Sequence, residues 1–194
     1  MRYAQIRKMD ISNGEGIGVS LFTQGCPIRC EGCHNSSIWG FNGGYNYTRQ
    51  DEQLILDLMS KEYISRFSLL GGEVLLKENM PELSTLCLKI KSHWPQKKIW
   101  LWSGYLWEEI YDLAYGNAIQ IGIKTKGKQT GWTLEDKANL QIILENIDIL
   151  IDGPFIQEQK DLTLKWRGSS NQRVISVPTT LSHGLGQYPV LYCN

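Results

Sequence analysis

The chain has 194 residues with 20 basic and 20 acidic side chains. That length fits one domain of ordinary size, and zero net charge gives no electrostatic reason to expect nucleic acid or an anionic membrane as partner. A hydrophobic share of 42% with 21% charged residues excludes a disordered chain, and no apolar run reaches the length of a bilayer span.

In chain order, MRYAQIRKMD has no apolar segment of the secretory type. Gly18 to Gly25 is a short run of strand formers ending in glycine, and it delivers a loop with three cysteines. TRQDEQLILDLMSKEY predicts a helix, with Thr48 as N-cap, Asp51 three residues on, and Leu54, Ile55 and Leu58 at helical spacing. FSLLGG predicts a second strand. A helix follows Pro81, with Leu83, Leu86, Cys87 and Ile90 on one face. KKIWLWSG is a third strand, LWEEIYDLA a short helix, LEDKANLQIILENI a longer helix capped by Thr133, and IDILIDG a buried strand. From Pro178 onward there is no clear period.

Strands that alternate with helices at this spacing predict parallel pairing through crossover helices. Ligands of such sheets sit at the carboxyl ends of the strands. The cysteine loop, Gly71-Gly72-Glu73, Ser103-Gly104-Tyr105 and Asp152-Gly153 all follow predicted strands and are expected on one face. A closed eight-stranded barrel needs about 250 residues, so the expected architecture is α/β, a partial, open parallel β/α barrel in a single domain over residues 1–194. An insert near 115–132 and a tail over 178–194 carry no assigned role.

Three of the five cysteines, Cys26, Cys30 and Cys33, have the spacing C-x3-C-x2-C. An odd count with three crowded together is a poor disulfide framework and points to a reducing cytoplasm. Structural zinc normally takes four ligands. His34 directly follows Cys33 and is poorly placed to share its metal, and Cys87 falls on the apolar helix face. An iron–sulfur cube held by three thiolates leaves one iron open to an exogenous ligand. Spacing alone leaves zinc and cluster both open.

With a first strand before it, C-x3-C-x2-C resembles the signature of the radical S-adenosylmethionine (SAM) enzymes, and LLGGEVL is similar to that family's Gly-Gly-Glu motif. The resemblance implies a full or partial α/β barrel and a [4Fe–4S] cluster on Cys26, Cys30 and Cys33, with SAM chelating the open iron. It implies Gly71, Gly72 and Glu73 at the methionine end of SAM, and Gly32 and His34, flanking Cys33, beside the adenine. Ser103 and Gly104 are candidates for the ribose. Val74 stands where many members have proline.

NGEGIGVSLFTQGCPIRCEGCHNSSIW resembles the activases of glycyl radical enzymes. IWLWSGY and LIDGPFIQEQKDLTLKWRGSSNQRVI resemble the activating proteins of anaerobic (class III) ribonucleotide reductases. What this implies is an oxidoreductase that cleaves SAM reductively and places a radical on a glycine of the reductase large subunit. The electron would come from a one-electron donor such as a flavodoxin. No acid–base residue is required. Activases of other glycyl radical enzymes, such as pyruvate formate-lyase, share the cysteine and glycine motifs but not WRGSSNQR.

Overall fold

The computed structural model describes residues 1–116, 129, 131–183 and 188–193. Most of the predicted insert therefore lies outside the described residues. Among the described residues eight strands form one sheet: β1 (Arg2–Asp10), β2 (Gly18–Thr23), β3 (Tyr45–Asn46), β4 (Arg66–Gly71), β5 (Lys98–Trp102), β6 (Ile149–Asp152), β7 (Arg173–Ser176) and β8 (Leu191–Cys193). Their spatial order is β3-β1-β2-β4-β5-β6-β7-β8. The helices are α1 (Arg49–Met59), α2 (Met80–His93), α3 (Trp107–Tyr115), α4 (Leu134–Asn146) and α5 (Val177–Ser182).

The four strands expected from alternation, β2, β4, β5 and β6, are parallel. The flanks correct that expectation: β1 and β3 on one side, β7 and β8 on the other, pair antiparallel. Parallel pairing needs a crossover of a dozen or more residues. The shorter link between β1 and β2 cannot supply one, so the chain turns back. β1 is not among the predicted strands, because its sequence does not alternate regularly: Arg7, Lys8 and Met9 are exposed in succession. The tail likewise contains α5 and β8.

Alternation across the pleat sorts the side chains. Val19, Leu21, Phe67, Leu69, Ile99, Leu101 and Leu150 face the helices in the main core. Trp100, Ile149, Ile151 and Val174 face the other way and pack with Trp102, Trp166 and Tyr192. Capping boxes at Thr48/Asp51 and Thr133/Asp136 start α1 and α4 as the sequence predicts. Helix α1 ends at Met59, short of the predicted Tyr63; the carbonyls of Met59 and Lys61 are taken by the buried Lys97 ammonium. Cys87 is fully buried in the core, and burial pushes its thiol up to about 12. No described helix is long and apolar enough to cross a membrane.

At the amino ends of β2 and β4, the Arg66 guanidinium donates to the Asp10 carbonyl at 2.8 Å and meets the Asp10 carboxylate at 3.3 Å. Ser20 and Asn13 also donate to that carboxylate, at 2.9 and 2.7 Å, as do the Ser12 and Asn13 amides. Burial alone would raise the Asp10 pKa, but these donors outweigh it and hold it down at about 2. Gly18 lies under the Arg66 side chain, where a Cβ would collide with it.

The stability that Asp10 contributes is therefore present above its ordinary pKa of 3.8 and lost as pH falls toward about 2. Asp10→Ala leaves Arg66 buried without its counter-charge and is expected to cost about 3–5 kcal/mol in urea unfolding at pH 7. It should also flatten the stability profile below pH 4.

Candidate functional site

The carboxyl ends of the four parallel strands converge as expected. Cys26, Cys30, Cys33, Gly71, Glu73, Ser103, Gly104 and Gly153 line one cavity, together with Ile28, Trp102, Phe155 and Gln172. The three cysteines are free thiols and half-buried. Gly32 and His34 lie beside them on the exposed side of the loop.

The glycines set this geometry. Gly71 takes φ +119°, and a Cβ there would lie 2.7 Å from the Thr23 nitrogen. A Cβ on Gly72 would collide with the Gly25 carbonyl. Two side-chain-free residues thus let the end of β4 press against the start of the cysteine loop. The Gly72 amide donates to Thr23 O at 2.9 Å and the Glu73 amide to Gly25 O at 2.8 Å. The far side of the loop is tied down by Gly25 N to Ile38 O at 2.9 Å and Cys26 N to Trp39 O at 3.0 Å.

Between Cys26 and Cys30 the backbone turns at Arg29, which takes φ +51°. The Ile28 and Arg29 amides of this turn face Cys26 Sγ, and the Phe155 amide, from beyond β6, faces Cys30 Sγ. Successive amides aimed into one concavity are a common anion cradle. Burial pushes the Cys26 thiol up to about 11 despite these donors, and raises Cys30 as well. Both are neutral thiols at pH 7 until a metal replaces the proton.

Among the described residues, no group of three or more His, Cys, Asp or Glu side chains is close enough to hold a single metal ion. Zinc needs all its ligands about 2.0–2.3 Å from one point. In a cube each thiolate binds a different iron, so its three cysteines need not converge on one point.

Glu73 is 1% exposed. Ser103 Oγ donates to its Oε1 at 2.7 Å, the Leu75 amide to the same oxygen at 2.9 Å, and the Gly104 amide to Oε2 at 2.8 Å. Burial pushes its pKa up to about 7, against the pull of those donors. Glu73, Ser103 and Gly104 are separate expectations in the sequence; in the fold they are one unit, and the carboxylate is already occupied.

Phe155, Gln172 and Trp102 are site residues that motif spacing does not mark out. The usable signal was position: Phe155 follows the predicted strand end Asp152-Gly153.

The family described as a 4Fe-4S single cluster domain matches residues 12–175. The anaerobic ribonucleoside-triphosphate reductase-activating protein of Vibrio cholerae is 35% identical over 174 residues, covering 89% of this chain and 96% of its own. The proteins of that name from Escherichia coli K12 and Enterobacteria phage T4 are 35% and 34% identical, covering 90% and 91% of this chain and 97% and 94% of theirs. The chain belongs to the family of anaerobic ribonucleoside-triphosphate reductase-activating proteins. Its iron–sulfur character is thereby shown.

Because Glu73 is held above its ordinary pKa of 4.5 at about 7, the folded state keeps a proton that the unfolded chain has released. Its contribution to stability is full below about pH 4.5 and falls as pH rises toward 7. Thermal unfolding of the metal-free protein should show this loss, and Glu73→Gln should remove it from the pH profile.

Proposed function

We propose that the chain activates an anaerobic ribonucleoside-triphosphate reductase through SAM chemistry at a [4Fe–4S] cluster held by Cys26, Cys30 and Cys33. The observation that carries this is the convergence of three free thiols with the Gly71–Glu73 and Ser103–Gly104 loops on one cavity. The mixed sheet, parallel through β2, β4, β5 and β6, supports an open barrel of the radical SAM type.

When bound, the reduced cluster and SAM supply the radical that takes a hydrogen atom from a glycine of the reductase. The chain's residues hold, orient and exclude water. Gly71 and Gly72 keep backbone at the methionine end, where an ammonium needs carbonyl acceptors. Glu73 acts at one remove, because its oxygens are taken by Ser103 and Gly104. It fixes the edge that the ribose would meet. Gly32, Cys33 and His34 form the adenine side of the loop. Ile28, Trp102 and Phe155 give the cavity apolar walls. The electron donor is a one-electron carrier such as a flavodoxin. WRGSSNQR and the relatives' names favour the ribonucleotide reductase over pyruvate formate-lyase as target.

The test is anaerobic reconstitution, reduction, and mixing with SAM and the reductase large subunit, read by electron paramagnetic resonance. A glycyl radical on the reductase is expected, and a spectrum without one would remove the assignment. Cys26→Ala, Cys30→Ala and Cys33→Ala should each lose the iron–sulfur absorption and SAM cleavage. Cys87→Ala should keep both, at a stability cost of about 1 kcal/mol.

A further inference from the structure

The segment after β6 has little structure of its own, a single 3-10 turn at Gln157–Gln159, yet it forms one wall of the cavity. A Cβ on Gly32 would collide with the Gln157 side chain and lie 3.4 Å from the Phe155 ring. The Phe155 amide faces Cys30 Sγ.

What holds that wall is the loop of the WRGSSNQR motif. Asn171 Nδ2 donates to Pro154 O at 2.8 Å, and Gln172 Nε2 donates to Gly153 O at 3.0 Å. Ser169 Oγ, in a fully buried residue, accepts from the Ile156 amide at 3.2 Å. Gln172 Oε1 accepts from the Gly168 and Ser169 amides at 2.9 and 3.3 Å. Arg167 closes the loop on Gln172 O at 3.0 Å. Gly168 is glycine for space: a Cβ would lie 3.1 Å from the Phe155 ring. Arg173 anchors the end of the loop through Asp152 and a two-pronged pair with Glu108 at 2.9 and 2.8 Å. The polar side chains of this motif bind backbone of the wall on both sides of Phe155.

We propose that the Arg167–Arg173 loop is a positioning device that aims the Phe155 amide at the Cys30 sulfur and so sets the reduction potential of the cluster. The inference rests on the reading of Cys30 as a cluster ligand. Reduction adds negative charge to the cluster and its thiolates, and an N–H donor to sulfur stabilises that charge. A wall freed from its clamp gives up this donor, and the cluster becomes harder to reduce.

The test compares reconstituted wild type with Asn171→Ala, Gln172→Ala and the control Ser170→Ala, whose exposed side chain meets the wall only at the Gln159 side chain, at 3.4 Å, and touches none of Gly153–Ile156. Iron and sulfide content comes first: a wild-type protein that binds no cluster would defeat the underlying reading. In loaded protein, redox titration without SAM should show Gln172→Ala and Asn171→Ala lowering the equilibrium constant for reduction on the order of tenfold, about 59 mV for one electron, with Ser170→Ala unmoved. Loaded variants with wild-type potential would overturn the proposal. If the variants lose the cluster, the wild type decides. With 15N-labelled phenylalanine, reduced protein should show a 15N coupling in pulsed electron–nuclear double resonance that persists with a 15N-leucine label in Phe155→Leu, which keeps the amide. Absence of that coupling in wild type would equally overturn it.

Discussion

The site depends on one close approach of two backbones. At Gly71–Gly72 the end of β4 lies against Thr23–Gly25, nearer than any side chain permits, and two amide–carbonyl bonds lock the contact. Everything that gives the cavity its shape is hung from this contact. It fixes where the cysteine loop starts and delivers Glu73 into the interior. There the carboxylate gathers the Ser103–Gly104 turn from the next strand. Three consecutive parallel strand ends are thereby tied into one rim, with each hydrogen bond satisfied by a neighbour that the fold itself brings in.

Charge is buried at both ends of the sheet, and for different purposes. At the amino ends, Asp10 and Arg66 close the bottom within a network of short polar partners. At the carboxyl ends, Asp152 receives the Trp107 amide at the start of α3 at 2.7 Å and pairs with Arg173. The second set joins strand, helix and the wall over the cysteines. Burying ions is costly unless they are paired and hydrogen-bonded. The observed partners meet that condition, and the reward is geometric: they define where loops without regular structure must lie.

Much of this was legible in the sequence because its causes are local. Thr48 and Thr133 announce helix starts through residues three places on. The four parallel strands follow from apolar runs ending in glycine. Cys87 is recognisable as core from helical spacing. The cysteine spacing and Gly-Gly-Glu are short enough to be read directly. The antiparallel flanks were not legible. β1 alternates weakly, with Arg7, Lys8 and Met9 exposed in succession, and pairing direction is set by what the connection allows and not by composition. β7 and β8 are short strands whose hydrogen-bonding partners are remote in sequence.

By itself, then, the sequence determined the chemistry on offer: three thiols without a fourth, glycines where backbone must approach backbone, and a parallel scaffold that puts them on one face. Only the tertiary structure decided how those parts divide the work. Glu73 reads as one member of a Gly-Gly-Glu motif; in the fold its oxygens also gather Ser103, Gly104 and Leu75. WRGSSNQR reads as a polar turn, yet its side chains grip backbone about 10–20 residues earlier and hold Phe155 against the cysteine loop. The reason is physical. A buried hydrogen-bonding group takes whatever partner folding brings within about 3 Å, and the spacing along the chain does not record which partner that will be.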